Sequence, residues 1–216
     1  MLHITTGDAY NAHLETESGV YATPFREAMM DGDVPDGAPF SEAFIRARAR
    51  HHGVTEEAYR EHMRGVLSLR SSHGRYTALS LYFGRDTFCQ MNLLTLFAYL
   101  EELGYAGTVS LSLIDDETQA VIGAQIPVAL GGYRTRYREI LCKRRMPTSL
   151  GVIDPHAVAL YFDFLSDEGL LARTIKAHPE EGETALIIRL LEISADYGLS
   201  DGMARDLIAK YRENKN

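Results

Sequence analysis

The chain opens with a short apolar run that ends abruptly in a polar turn. Leu2 to Thr5 has the length and composition of a strand, and Thr6-Gly7-Asp8 follows at once. This pattern predicts a strand, a turn that Gly7 permits, and a helix from Ala9 to Leu14 that Asp8 is suited to cap. In doubly wound sheets, ligands bind at the turns that follow the carboxyl ends of strands.

A second polar turn follows the clearest strand pattern of the chain. Ala78 to Gly84 predicts a strand, Arg85-Asp86 a turn, and Thr87 to Leu103 a helix that Gly104 ends. Another strand is predicted from Val109 to Ile114, and a crossover of this length joins parallel strands in the right-handed sense. One face of the helix is predicted to carry Phe88, Met91, Leu94 and Ala98.

Between these units, Val20 to Phe25 predicts a strand, and the Gly and Pro residues of Asp31 to Gly37 predict an irregular loop. Apolar residues at helical spacing predict helices from Ser41 to His51 and from Thr55 to Leu69, separated at Gly53.

Beyond Ile126 the apolar spacing becomes helical. Inward-facing positions are predicted at Leu130, Tyr133, Tyr137, Ile140 and Leu141. Further helices are predicted at Val158 to Leu165, Thr184 to Leu191, and Asp201 to Tyr211 after a capping Ser200. The sequence therefore predicts an α/β fold, with a Rossmann-like, mostly parallel sheet in residues 1–126 and a helical C-terminal region in residues 127–216.

Composition narrows the class of protein. The 216 residues are 45% hydrophobic and 24% charged, which is ordinary for a globular protein. The two cysteines, Cys89 and Cys142, have no C-x-x-C spacing, and no apolar segment is long enough to span a bilayer. We therefore expect a cytoplasmic protein with no membrane partner; the sequence does not define its oligomeric state.

Three segments occur in an order typical of a known family. They are Leu2 to Asp8, Phe25-Arg26-Glu27 through Asp31-Gly32, and Tyr82-Phe83 through Asp86 and Gln90. In this order they resemble the domain-of-unknown-function 1835 (DUF1835) family, over roughly residues 1 to 115. Gly198-Leu199-Ser200 is similar to an element near the end of longer members. The resemblance implies a fold class and no reaction.

The chain departs from that family pattern at several polar positions. Where the family usually has Asn, Asp, His, Pro and Asp, this chain has Thr6, Glu27, Met30, Asp33 and Cys89. Losing a His and a carboxylate would remove a proton-transfer group and a charge, if these groups act in relatives.

The candidate site is built from the two strand-end turns and one arginine. Its predicted ligand-binding residues are Thr5, Thr6, Gly7, Asp8, Arg26, Arg85, Asp86 and Gln90. Asp8 and Asp86 are the candidates for proton transfer, and Arg26 or Arg85 for clamping a phosphate or carboxylate. Each residue also has a purely structural interpretation.

The structural interpretations are helix capping and surface pairing. Asp8 would cap the first helix, and Asp86 or Thr87 would cap the second, since Thr87-x-x-Gln90 matches a capping box. Arg26 would pair with Glu27 or Asp31.

Cofactor and metal motifs are missing from the sequence. Neither G-x-G-x-x-G nor a Walker sequence occurs, and the histidines show no metal-ligand spacing, so the cofactor is unknown and no metal site is predicted. Asp115-Asp116-Glu117 could hold a divalent cation, although such a run is usually an exposed turn.

A basic run supports a second hypothesis. Six cations lie close together at Arg134, Arg136, Arg138, Lys143, Arg144 and Arg145. Together with Tyr133 and Tyr137 they would suit nucleic acid, although helical spacing favours inward tyrosines and a solvated basic face. The net charge of −8 also argues against nucleic acid as the main partner.

Two functions remain open at the level of sequence. The first is binding of an anionic, phosphate- or carboxylate-bearing small molecule at the strand ends, with a transferase-like reaction if the protein is an enzyme. The second is a regulatory or interaction module that contacts nucleic acid or a partner protein through the basic C-terminal helices.

Overall fold

The computed structural model describes residues 1–213 and contains one five-stranded sheet. Its strands are β1 (Leu2–Thr5), β2 (Thr23–Pro24), β3 (Ala78–Phe83), β4 (Thr108–Ile114) and β5 (Val121–Val128). They lie in the order β2-β1-β3-β4-β5; the first four are parallel, and β5 is antiparallel to β4. The predicted α/β class with a mostly parallel sheet is confirmed.

The strand order reverses between β1 and β3. From β1 the chain moves outward to β2, and from β3 it moves outward in the opposite direction to β4. The carboxyl ends of β1 and β3 therefore lie side by side, with Thr5 opposite Tyr82. A reversal of this kind leaves a crevice between the two following loops, which is the usual ligand site of open α/β sheets.

The helices fall into an insertion before β3, a crossover after it, and a C-terminal group. Those before β3 are α1 (Asp8–Ser18), α2 (Glu42–His51), α3 (Glu56–His62), α4 (Arg64–Leu67) and α5 (Leu69–Ser72). Those after it are α6 (Thr87–Glu102), α7 (Tyr133–Tyr137, continued by a π-helical turn over Arg138–Cys142), α8 (Pro155–Leu165), α9 (Leu170–Ala177), α10 (Glu183–Ile193) and α11 (Asp201–Glu213). Within residues 1–213, no helix is long and apolar enough to cross a membrane.

The crossover helix α6 is buried on nearly all sides. The predicted inward positions Met91, Leu94 and Ala98 are confirmed as buried, and Phe88 is only partly buried. Burial extends well beyond this one face, because 13 of the 16 residues of α6 are buried. One cause is the C-terminal region, because α7 and α8 pack against α6 in addition to β3. The inward positions predicted for α7 and its continuation, Tyr133, Tyr137, Ile140 and Leu141, are confirmed as buried.

Two predicted elements before β3 are wrong in extent. The strand predicted for Val20 to Phe25 is reduced to Thr23–Pro24 at the sheet edge, where Pro24 lacks the N–H that a longer ladder needs. The helix predicted for Thr55 to Leu69 is broken into α3, α4 and α5. The break lets α4 pass close over β2, where a Cβ on Gly65 would lie 2.6 Å from the Thr23 methyl group.

One strand and one α-helix of the structure were not predicted at all. β5 is mostly exposed and contains Gly123 and Pro127, so it lacks the apolar alternation of a typical strand. Helix α9 was also missed. The predicted division at residue 126 falls inside β5, and the buried core runs without interruption from β1 to α11. The division into two domains itself stays a prediction.

A buried ionic cluster fixes the long loop between β2 and α2. Glu27, 1% exposed, accepts hydrogen bonds from Arg48 Nη2 (2.7 Å) and pairs with His52 Nε2 (2.8 Å), while the Tyr59 hydroxyl donates to its other oxygen. Burial alone would raise the pKa of Glu27, but the hydrogen bonds and charges of His52 and Arg48 hold it well below its usual range.

Candidate functional site

A cavity of about 440 Å³ occupies the crevice between the ends of β1 and β3. Four segments line it: residues 6–10 after β1, residues 86–89 at the start of α6, Asp116 in the β4–β5 turn, and residues 191–199 from the C-terminal region. The convergence of the first two turns, predicted from the sequence, is confirmed. The contribution of the C-terminal region was not predicted.

The wall formed by α1 presents backbone N–H groups that no side chain of residues 1–213 caps. The N-cap residue is Gly7 and makes no side-chain hydrogen bond, so the prediction that Asp8 caps this helix is wrong. Asp8 is the first helical residue and forms a bidentate ion pair with Arg26 (Nη2 to Oδ1 2.8 Å, Nε to Oδ2 3.0 Å). The N–H groups of the first turn therefore remain available to a ligand.

Arg26 has a partner that the sequence did not suggest. It pairs with Asp8, and not with Glu27 or Asp31, because Glu27 is drawn inward by Arg48. The hydrogen bond from Arg26 lowers the pKa of Asp8. Asp8 is therefore ionised at neutral pH, and its role in proton transfer stays a prediction.

The protein has room for a larger side chain at position 7, where it has a glycine. Its φ of 169° and ψ of −172° are extended values that any residue adopts, so the prediction that Gly7 permits the turn is wrong. A Cβ at Gly7 would meet no heavy atom of the described part of the chain within 4 Å. Neither backbone geometry nor packing accounts for a glycine at this edge of the cavity.

Asp86 caps α6, as predicted. Its Oδ1 accepts a hydrogen bond from the Cys89 N–H (2.8 Å). The alternative capping box is wrong, because Thr87 Oγ1 donates to the Asp196 carbonyl (3.1 Å) and Gln90 Nε2 donates to the Gly84 carbonyl (2.8 Å). Gln90 also accepts from the Asp154 N–H (3.1 Å), so it supports the crevice from behind and does not line it.

The second oxygen of Asp86 faces another carboxylate. Asp86 is 7% exposed, and its Oδ2 has no N–H or O–H donor among residues 1–213, other than a proton shared with Asp116. A Cβ on Gly84 would lie 2.6 Å from Asp86 Oδ2 and 2.9 Å from both oxygens of Asp116, so Gly84 is required by this close approach.

The Asp86–Asp116 pair has an unusual electrostatic environment. Burial, followed by the negative charge of Asp86, raises the pKa of Asp116 to about 7. Within residues 1–213, no basic side chain comes within 4.0 Å of either carboxylate to form an ion pair. Such a pair is stabilised by sharing one proton or by binding a cation.

A thiol completes this side of the cavity. Cys89 is buried, and its Sγ lies 2.9 Å from Thr6 Oγ1. Burial, followed by the charge of Asp86, raises the pKa of the Cys89 thiol, which therefore is not an activated nucleophile. One ligand atom each from Asp86, Cys89 and Asp116 lies within 4.8 Å of the other two, which makes these residues a possible metal-binding set.

The C-terminal region closes the crevice over Asp86. Gly198 has a left-handed φ of 69°, and a Cβ there would collide with Asp86 Oδ1. Leu199 and the buried Ser194 line the same side of the cavity. The Gly198-Leu199-Ser200 element is therefore part of the crevice as well as the start of α11.

The structure brings together part of the predicted site. Thr6, Gly7, Asp8 and Asp86 line the cavity. Thr5 is buried beneath it, with its hydroxyl donating to the Gly7 carbonyl (3.1 Å), and Arg85 is exposed outside the lining. The sequence pointed to Asp116 only as one of three acidic residues, and it gave no sign that Gly198 reaches Asp86.

The basic run is paired with acidic side chains. Arg138 pairs with Asp36 and Arg144 pairs with Asp33, and both aspartates lie in the long loop between β2 and α2. Further pairs are Arg134 with Glu102, and Lys143 and Arg145 with Glu139. Arg136 donates to the Ser149 and Gly131 carbonyls and lies over the Tyr133 ring. Four carboxylates therefore offset most of the positive charge of this segment.

Comparison with known proteins gives no match among family models, curated proteins or solved structures. The resemblance to the DUF1835 family stays a prediction. The fold and the crevice define the class of protein: an α/β protein with a mostly parallel sheet and a cavity where the strand order reverses.

Proposed function

We propose that this protein binds a small molecule carrying a phosphate or carboxylate group in the crevice between β1 and β3. The anionic group sits on the N–H groups of the first turn of α1. The observation that carries this proposal is Gly7, which lines the cavity beside those groups although neither the turn nor the packing requires a glycine.

Two physical effects favour an anion at this wall. The first N–H groups of a helix have no partner within the helix, and the helix dipole places partial positive charge there. Asp8 lies in the same turn, but the bidentate pair with Arg26 offsets its negative charge. Without a Cβ on Gly7, a ligand oxygen can approach the backbone as closely as a hydrogen bond requires.

The proposal is tested by thermal unfolding in EDTA against inorganic phosphate, sugar phosphates, nucleotides and carboxylic acids. A compound at about 100 times its Kd stabilises the native state by about 2.7 kcal/mol, which for a chain of this size raises the midpoint by roughly 5 °C or more. We expect at least one anionic compound to act in this way.

The variant that tests the location is Gly7→Ala. We expect it to fold with unchanged or slightly higher stability and to lose the ligand-dependent shift, since the added methyl group occupies the approach to the N–H groups. Gly131→Ala is the matched control, because a Cβ there also meets nothing within 4 Å but lies outside the crevice. An undiminished shift in Gly7→Ala would remove the ligand from this wall.

The basic C-terminal run receives less support as a binding surface. Its ion pairs with Asp33 and Asp36 would have to be broken before the arginines could contact phosphates. The interaction-module hypothesis stays a prediction, and binding of DNA at low salt that weakens in an Arg144→Ala, Arg145→Ala variant would support it.

A further inference from the structure

A second wall of the crevice, formed by the start of α6 and the β4–β5 turn, carries acceptor side chains instead of N–H groups. Three acceptors converge there: the carboxylates of Asp86 and Asp116 and the sulfur of Cys89. We propose that this set binds one divalent transition cation of the zinc class. The proposal goes beyond the anion-binding function and does not depend on it, because the cation site is complete without an organic ligand.

The unsatisfied oxygen of Asp86 is the observation that points to a ligand. Asp86 is 93% buried, and while one of its oxygens caps α6, Oδ2 is turned toward Asp116 without a donor from residues 1–213 other than a shared proton. A carboxylate oxygen buried in this way costs free energy unless something satisfies it. A cation between Asp86 and Asp116 would satisfy both carboxylates at once.

The three ligand atoms are nearly close enough to one another to bind a single ion. Bonds of about 2.0 to 2.3 Å place the ligand atoms of a tetrahedral zinc about 3.5 Å apart. The three atoms lie within 4.8 Å of one another, so side-chain movements of about 1 Å close the site. Asp116 is exposed in the β4–β5 turn and is free to make most of this movement.

The Cys89 thiol indicates which class of cation this site would bind. Mg²⁺ and Ca²⁺ prefer six or more oxygen ligands, whereas zinc accepts mixed sulfur and oxygen sets. Binding would displace the thiol proton of Cys89, and Thr6 Oγ1 at 2.9 Å can then donate its hydrogen to the thiolate. Three protein ligands leave the fourth position open to the cavity, as in catalytic zinc sites.

The test is titration of the full chain, stripped with EDTA and dialysed, with Co²⁺ as a spectroscopic substitute for Zn²⁺. We expect one Co²⁺ per chain, a thiolate-to-cobalt charge-transfer absorption band, and loss of that band on addition of Zn²⁺. Cys89→Ser should lose the band and Cys142→Ser should keep it. Asp116→Asn should weaken Co²⁺ binding at least about tenfold, whereas its neighbour Glu117→Gln should bind like the wild type.

Several results would overturn the cation proposal. These are no stoichiometric Co²⁺ binding, a charge-transfer band that survives in Cys89→Ser, or equal affinity in Asp116→Asn and wild type. Stabilisation by Mg²⁺ with no thiolate band would also overturn it, because it would indicate a site of oxygens alone. Asp116→Asn keeps the test valid if Cys89→Ser fails to fold. Anion binding in EDTA is measured separately, so each proposal can fail without the other.

Discussion

Asp86 uses one carboxylate oxygen to cap α6 and presents the other to Asp116. The capping role could be predicted from the sequence, because an Asp before an apolar helical pattern is a common helix start. The second contact could not, since Asp116 is 30 positions away and reaches Asp86 only through the pairing of β3 with β4. The need for a glycine at position 84 could not be predicted either, because it arises from the close approach of Asp116.

At the residue scale, Asp116→Asn should stabilise the protein when no metal is present. The substitution removes a like charge beside Asp86 and leaves a side chain of the same shape. Because Asp116 is exposed and water screens its charge, we expect a gain in the free energy of unfolding of about 1 kcal/mol at pH 7.5. Urea unfolding in EDTA measures it.

The neighbouring exposed carboxylate provides the control for that measurement. Glu117→Gln removes a charge from the same turn but not from the pair, and should change stability by less than 0.5 kcal/mol in either direction, about the usual limit for surface sites. A loss of stability in Asp116→Asn would show that Asp116 supports the fold, and that the two carboxylates are not held together against their repulsion.

Among the strands and helices, those with a regular apolar pattern could be predicted from the sequence, and those without one could not. The bounds of β1, β3 and β4 follow the apolar runs closely. The exposed β5 and the broken helices α3 to α5 depend on tertiary contacts, such as that between Gly65 and Thr23, which override local preference.

The turn before α11 is the element that joins the C-terminal region to the crevice. Gly198→Ala should destabilise the protein, because an L residue with left-handed φ costs about 1 to 2 kcal/mol and the new methyl group would also collide with Asp86. We expect a loss of about 2 kcal/mol or more in urea unfolding, together with weaker ligand binding.

Gly202→Ala is the matched substitution in the same part of the chain. Gly202 lies in α11, is exposed, and has only the Ser200 hydroxyl within 4 Å of an added Cβ. It should be neutral or stabilising by up to about 1 kcal/mol. Equal effects of the two substitutions would mean that the C-terminal segment does not dock on Asp86 as described.

At the scale of the whole molecule, a single core joins the sheet to the C-terminal helices. The sequence predicted the sheet edge where the crevice lies, because parallel strands must end together. It did not predict the wall formed by residues 191–199, since the Gly198-Leu199-Ser200 element gives no sign of its partner and reaches Asp86 only through tertiary packing. Arg26 pairs with Asp8 beside the cavity but does not line it, while its neighbour Glu27 is bound by Arg48 from another helix.

The Glu27–Arg48 pair should make the stability of the whole molecule depend on pH. Glu27→Gln leaves a buried guanidinium without its counter-charge and should cost about 3 to 5 kcal/mol at pH 6. The pKa of Glu27 is lowered in the folded state, so its contribution is complete above the unfolded pKa of about 4.3 and is lost as pH falls below it.

Urea unfolding at pH 6 and at pH 3.5 checks that sign. The difference between wild type and Glu27→Gln should shrink at the lower pH. Glu42→Gln, which breaks the exposed ion pair with Arg60, should cost less than about 1 kcal/mol at pH 6. A difference for Glu27→Gln that grows on acidification would contradict the assignment of an ionised, paired Glu27.

We infer that the anionic ligand lies on the first turn of α1, where the strand order of the sheet reverses. Titration of ¹⁵N-labelled protein in EDTA with the anion that gives the largest thermal shift, followed by amide chemical shifts, tests this placement. We expect the largest changes at Gly7, Asp8, Ala9 and Tyr10, with smaller ones at Cys89 and Gly198. Changes concentrated between Arg134 and Arg145, with residues 7–10 unmoved, would contradict it.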